Sequence, residues 1–226
     1  ARTVLLIGCS YVRHCPDVAR QIVSVTRHFV DGALRVARGC CGLPLLLAGD
    51  RQGFERAAHE LSDELSGASR IIVADPGCAI TLLEQYPSLD VALPMVQPLV
   101  DIIATRLDRL PSKVFTHGRY RYLDPCQLGR GLGRYDQPRA ILERLTGRQP
   151  ESFVRSRSEA ECSGGGGLLP ITYPELSQAI ANERFAEHLD AGGGRLVTAC
   201  GGSLHRFRRS GHEVVDLVSL VADAIA

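Results

Sequence analysis

A spacing that occurs twice is the strongest constraint on this chain. Cys41 and Ser163 are 122 positions apart, and so are Cys78 and Cys200. Cys9 and Cys126 are 117 apart, and Val96, Leu99, Val100 and Ile103 fall on Val214, Leu217, Val218 and Val221 at a constant 118. Offsets that drift by only a few residues mean one unit used twice, with changes in loop length. A doubled unit predicts two similar lobes, with ligands near the strand ends or between the lobes. The stretch Leu110-Pro-Ser-Lys113 reads as the linker, so a first cysteine-rich lobe is expected over residues 1–110 and a second over 113–226.

Within each half the pattern is alternating α/β. Thr3 to Gly8 is a continuous apolar run, as in a parallel strand buried on both faces. A helix is expected from Pro16 to about Phe29, another from Gly53 to Leu65, a strand over Arg70 to Asp75 and a helix over Pro98 to Leu107. The second half offers a short β-rich run at Lys113 to His117, the segment Tyr122-Leu-Asp-Pro-Cys126, a helix over Pro174 to Leu189 and a strand over Arg195 to Cys200. Pro174 suits a first helical turn, where a missing N–H costs little. Each lobe should therefore be a small, mainly parallel sheet flanked by helices.

Charge and composition narrow the function. Of 226 residues, 45% are hydrophobic and 23% charged, as in ordinary globular proteins. Lys and Arg number 26 against 25 Asp and Glu, so no global field exists to hold nucleic acid or an anionic membrane. No apolar run reaches the roughly 18 residues of a membrane span, and Ala1 to Ile7 reads as a strand, without the regions of a signal peptide. A cytoplasmic protein is expected, able to dock peripherally on a membrane complex. In a reducing compartment its eight cysteines are metal ligands or redox groups sooner than disulfides.

Cys9, Cys40, Cys41 and Cys78 lie beside Gly8, Gly39, Gly42 and Gly77. Glycine there lets an inorganic cluster approach the backbone, where a Cβ would clash and an amide can bond to sulfide. Soft thiolates select iron-sulfur clusters or zinc, and four of them suit a four-iron cluster, cubane or noncubane. A zinc site ranks second, because no close Cys-x-x-Cys pair is present. In the second half Cys126, Cys162 and Cys200 pair with Cys9, Cys40 and Cys78 by spacing, while Ser163 replaces Cys41. That site could hold a cluster with one non-cysteine ligand, a labile cluster or a single metal ion, or be empty. Cys15, without a counterpart, reads as a packing cysteine, and His14 and His117 as surface histidines. Arg206, Arg208 and Arg209 form a local basic patch with His205. Gly164 to Gly167 lack the Lys-Ser or Lys-Thr of a phosphate loop.

The elements Cys41-Gly-Leu-Pro44, Asp124-Pro-Cys-Gln-Leu-Gly-Arg130 and Cys162-Ser-Gly-Gly-Gly166, with the long spacings between them, resemble the duplicated cysteine-rich (CCG) domain. It occurs in heterodisulfide reductase B subunits and in iron-sulfur subunits of glycolate, lactate and glycerol-3-phosphate oxidation systems. The resemblance implies four-iron clusters, and in the heterodisulfide reductases two noncubane clusters whose five cysteines include a terminal Cys-x-x-Cys. Here Thr81 and Ser203 stand where the final cysteines are expected, which weakens the case for disulfide cleavage.

The function expected is an iron-sulfur electron-transfer subunit of an oxidoreductase. One cluster would sit on Cys9, Cys40, Cys41 and Cys78, and a second on Cys126, Cys162 and Cys200 with Ser163. Its partners would be a flavoprotein and a ferredoxin-type iron-sulfur protein. The alternatives are a disulfide-reducing subunit and a zinc-binding, non-redox docking module.

Overall fold

The computed structural model describes residues 2–226; Ala1, the first residue of the expected N-terminal strand, lies outside the described residues. The first lobe runs β1 (Thr3–Leu6), α1 (Cys9–His14), α2 (Pro16–Phe29), β2 (Leu34–Val36), α3 (Leu43–Leu47), α4 (Arg51–Glu64), β3 (Arg70–Val73), α5 (Pro76–Ile80), β4 (Met95–Pro98) and α6 (Leu99–Ala104). The second runs β5 (Tyr120–Tyr122), a π-helical turn over Gln127–Gly131 where α1 stands in the first lobe, α7 (Asp136–Thr146), β6 (Glu151–Ser152), α8 (Leu169–Thr172), α9 (Pro174–Asp190), β7 (Arg195–Thr198), α10 (Gly201–Arg209), β8 (Val214–Asp216) and α11 (Leu217–Ile225).

Both sheets are parallel and share one strand order, β2-β1-β3-β4 and β6-β5-β7-β8. Val4, Leu5, Ile71 and Ile72 are inaccessible to solvent, as expected for central strands covered on both faces. Helix α2 buries Val18, Ile22, Val25 and Phe29, a stripe at helical spacing, and starts with Pro16 in its first turn. Pro98 ends β4, an edge strand where a missing N–H is tolerated.

The expected strand at Lys113 to His117 does not form. The Lys113 and Phe115 amides instead donate to the Arg144 and Leu145 carbonyls at the end of α7 (2.9 and 3.0 Å), and the strand begins at Tyr120. The segment is a clamp on a helix end.

The lobes interlock through pseudo-symmetric pairs of helices: α11 packs on α2 as α7 packs on α6, and α1 meets α10 as the turn 127–131 meets α5. Polar bonds cross the same seam. Tyr11 Oη donates to Asp216 Oδ2 (2.8 Å), Arg134 pairs with Asp101 (3.0 Å), and Arg208 pairs with Asp17 (3.1 Å). Among the described residues no helix is long and apolar enough to cross a membrane.

Candidate metal centre

In each sheet the chain leaves its first strand for one neighbour, then returns to start the other neighbour. The crevice beyond the carboxyl ends of β1 and β3 is therefore the switch point where parallel sheets bind ligands. Cys9 follows β1, Cys78 lies in α5 just after β3, and Cys40 and Cys41 lie in the loop after β2. All four come together. The thiols form an unbroken chain of neighbours, Cys9 to Cys40 to Cys41 to Cys78. The close Cys41 and Cys9 thiols lower the pKa of Cys40. The Cys40 thiol and then burial raise that of Cys9, and the neighbouring Cys40 and Cys78 thiols with burial raise that of Cys41.

Cys41 and Cys78 are buried, Cys9 is half-buried and Cys40 is exposed, so the array opens to solvent on the Cys40 side. Among the described residues no three His, Cys, Asp or Glu side chains converge tightly enough to ligate a single metal ion. A polynuclear cluster, in which each thiolate binds a different iron, does not need that convergence. The donor set fits an iron-sulfur cluster better than one zinc ion.

Glycine is required at two equivalent bends. Gly42 and Gly164, each one residue after the second position of the paired motif, have φ of 78° and 76°. A Cβ on Gly42 would come within 2.8 Å of Phe54 Cδ2, and one on Gly164 would collide with the Ser177 carbonyl oxygen. Gly42→Ala combines left-handed backbone with a clash against a buried ring. It should cost about 1–3 kcal/mol in denaturant unfolding of the metal-free protein.

The second lobe repeats the scaffold with different donors. Cys126 and Cys162, both exposed, are neighbours, and the Cys126 pKa is raised by burial and then by Cys162. The Gly164 amide donates to Cys162 Sγ (3.2 Å). Ser163 is buried, and its Oγ lies 2.8 Å from Ser203 Oγ, a hydroxyl pair in the place of the neighbouring thiols Cys41 and Cys78.

Here the structure corrects the pairing read from spacing. Register aligns Thr3 with Arg70 in one sheet and Tyr120 with Arg195 in the other, so β3 and β7 are equivalent at an offset of 125, not 122. Asp75 and Cys200 are each the residue capping the next helix. Cys200 is thus the counterpart of Asp75, and Ser203 of Cys78. The shift arises because α9 has 17 residues where α4 has 14. Cys200 accordingly sits on the seam. Its pKa is pushed up to about 12 by burial and then by the charge of Asp75 across the interface, while the Ser203 hydroxyl opposes the shift.

Residues of the Asp124 to Arg130 motif hold the second lobe's loops. Asp124 Oδ1 and Oδ2 accept from Arg139 (2.6 and 2.8 Å), and Oδ2 also accepts from the Arg157 amide (2.9 Å). The Arg139 guanidinium stacks over the Tyr122 ring, 5.2 Å from its centroid. Arg130 donates to the Ala160 carbonyl (2.6 Å), tying the Cys126 turn to the approach to Cys162. His14 and His205 stack across the seam at 4.1 Å, and Cys15 is fully buried.

The profile of the cysteine-rich domain called CCG matches residues 3–83 and 120–208, one copy in each lobe. The chain belongs to the CCG cysteine-rich family. Similar to this CCG protein is one of the subunits of the fumarate reductase (CoM/CoB) of Methanothermobacter marburgensis, 29% identical over 81% of this chain and 37% of that one. Similar too is one of the subunits of the dihydromethanophenazine:CoB–CoM heterodisulfide reductase of Methanosarcina barkeri, 28% identical over 82% and 49%. A Methanocaldococcus jannaschii protein named as an iron-sulfur protein is 27% identical over 99% of this chain and 47% of that one. The chain spans about half or less of the length of these relatives.

Proposed function

We propose that the chain is the iron-sulfur electron-transfer part of an oxidoreductase complex, and that Cys9, Cys40, Cys41 and Cys78 hold a four-iron cluster. One observation carries the reading: four thiols from three separate segments, each following a strand, form a contiguous array at the sheet's switch point, backed by backbone that only glycine allows. When bound, such a cluster supplies one-electron chemistry. The protein's own contribution is to bury Cys41 and Cys78, keep Cys40 at the surface within reach of a partner, and surround the thiolates with amides that set the potential.

Cys126, Cys162 and Cys200, with Ser163, are the candidates for a second, weaker site. Two of its positions carry hydroxyls, whose deprotonation is far harder than that of thiols. Relatives that are subunits of redox enzymes support redox partners in general; the partners proposed here are a flavoprotein and a ferredoxin-type iron-sulfur protein, on the cytoplasmic side of any membrane complex.

Iron and acid-labile sulfide should be measured on protein purified without oxygen. A brown protein with about four irons and four sulfides per chain is expected. A colourless protein with one zinc would replace this reading with that of a zinc module. Turnover of disulfides with a strong chemical reductant would make the chain a disulfide reductase in place of a relay.

A further inference from the structure

We propose that the exposed Cys40 side of the first lobe opens onto a basic docking surface, built by both lobes, for the acidic face of a ferredoxin-type redox protein. The inference rests on the cluster reading above and adds to it the place and the charge of the partner.

The surface starts at the array and crosses the seam. Cys40 is exposed, and the Arg13 guanidinium is close enough to act on its thiol. Arg38, also exposed, stands two residues before Cys40 on the same loop. Next to Arg13 on α1 is His14, whose ring stacks on His205 of α10 at 4.1 Å. Burial, and then His14, Arg209 and Arg206, hold the His205 imidazole below its ordinary pKa, which places Arg209 beside the stack. A basic path thus runs from Arg38 and Arg13 at the first lobe's thiols, through the paired histidines, to Arg209 on the second lobe. Neither lobe alone would carry it.

Arg13, Arg38 and Arg209 make no ion pair among the described residues. Their neighbours on α10 are spent otherwise: Arg206 is buried and donates to the Ser177 and Ser210 hydroxyls, and Arg208 pairs with Asp17. The patch expected from Arg206, Arg208 and Arg209 therefore keeps Arg209 and gains Arg13 from the other lobe. Glu64, the carboxylate that bonds the Cys40 loop, is occupied by the Arg38 and Gly39 amides (2.6 and 2.7 Å) and by Arg35. On a chain whose net charge is only +1, three such guanidinium groups make a local field that the molecule as a whole lacks. Val12, 53% exposed and adjacent to Arg13, adds apolar area. Electron-transfer contacts are small and short-lived, and complementary charge steers their encounter. An acidic face is drawn here to the side on which the array opens.

The test uses the full chain purified without oxygen, as wild type, Arg13→Glu, Arg209→Glu, the double variant and Arg195→Glu. Arg195 opens β7, at the end of the sheet away from the thiols, so its variant makes the same charge change elsewhere. Iron is measured first. A wild type without iron, or with iron that neither dye below reduces, defeats the cluster reading itself. Stopped-flow reduction is then followed with two viologen radicals, cationic methyl viologen and anionic sulfonatopropyl viologen, each of which passes one electron to the cluster and becomes the oxidised dye. The anionic-to-cationic rate ratio should be about 10-fold higher at low salt than at about 1 M salt, where charge is screened. The double variant should remove that excess and Arg195→Glu should keep it. Arg209→Glu, on the lobe opposite the array, carries the comparison if Arg13→Glu loses iron. An acidic plant-type ferredoxin is the protein probe, and its affinity at low salt, read by calorimetry, should fall about 10-fold in the double variant. A rate ratio indifferent to salt, equal effects of Arg195→Glu and the double variant, or a ferredoxin that does not bind or ignores the arginines would overturn the inference. Tighter binding of duplex DNA than of the ferredoxin would overturn it too, by marking a surface for polyanions at large.

Discussion

Cys41→Ser should empty the first lobe of iron while leaving the fold intact. The protein already contains the control: at Ser163 and Ser203 two hydroxyls take the places of Cys41 and Cys78 and bond to each other at 2.8 Å. A serine at 41 is therefore sterically at home, and the metal-free variant should keep its far-ultraviolet dichroism. What it loses is a thiolate buried deep in the array, replaced by a hydroxyl with a far higher pKa. Iron should fall from about four per chain to well under one. Full iron content in this variant would mean that the centre lies elsewhere. The reverse change is as informative: Ser163→Cys with Ser203→Cys restores the missing thiols beside Cys126 and Cys162 and should raise iron above the wild-type value.

The largest loss of stability is expected at Arg139. Its bidentate pair with Asp124 is almost wholly buried, with side-chain exposures of 7% and 2%, and the same carboxylate holds the Arg157 amide. Removing one partner strands a charge away from water, which typically costs about 3–5 kcal/mol. Arg139→Ala also uncovers the Tyr122 ring. Urea unfolding of the metal-free protein should show the midpoint falling accordingly. Asp124→Asn, which keeps a single acceptor oxygen for Arg139 and the Arg157 amide to share, should lose less. A change under about 1 kcal/mol for Arg139→Ala would put the pair among ordinary surface ion pairs.

Much of this architecture was legible from the residues. Long apolar runs gave away β1 and β3, while Pro16 and Pro174 marked helix starts to the residue. The 118-residue offset of the tails holds in the structure, where Val96 pairs with Ile71 as Val214 pairs with Leu196. The edge strands β2, β6 and β8 have three, two and three residues, too few for any periodicity to emerge. Lys113 to His117 has strand-like composition, but Gly118 at φ 88° and the bonds to the end of α7 make it a bent clamp. At the candidate metal centre the thiols of the first lobe were legible from the residues. The true counterpart of Cys200 was not, because a three-residue difference in helix length pushed Cys200 into false alignment with Cys78, where strand register pairs it with Asp75. Only strand register revealed it.

The exchange of outer helices has a consequence for biosynthesis. Helix α2 is complete after residue 29, but its cover is α11, made of residues 217–225, and α6 likewise waits for α7. Emerging from a ribosome, the leading half keeps a greasy flank wet for more than a hundred further codons. Chaperone occupancy over that interval is the expected consequence of how the two halves clasp.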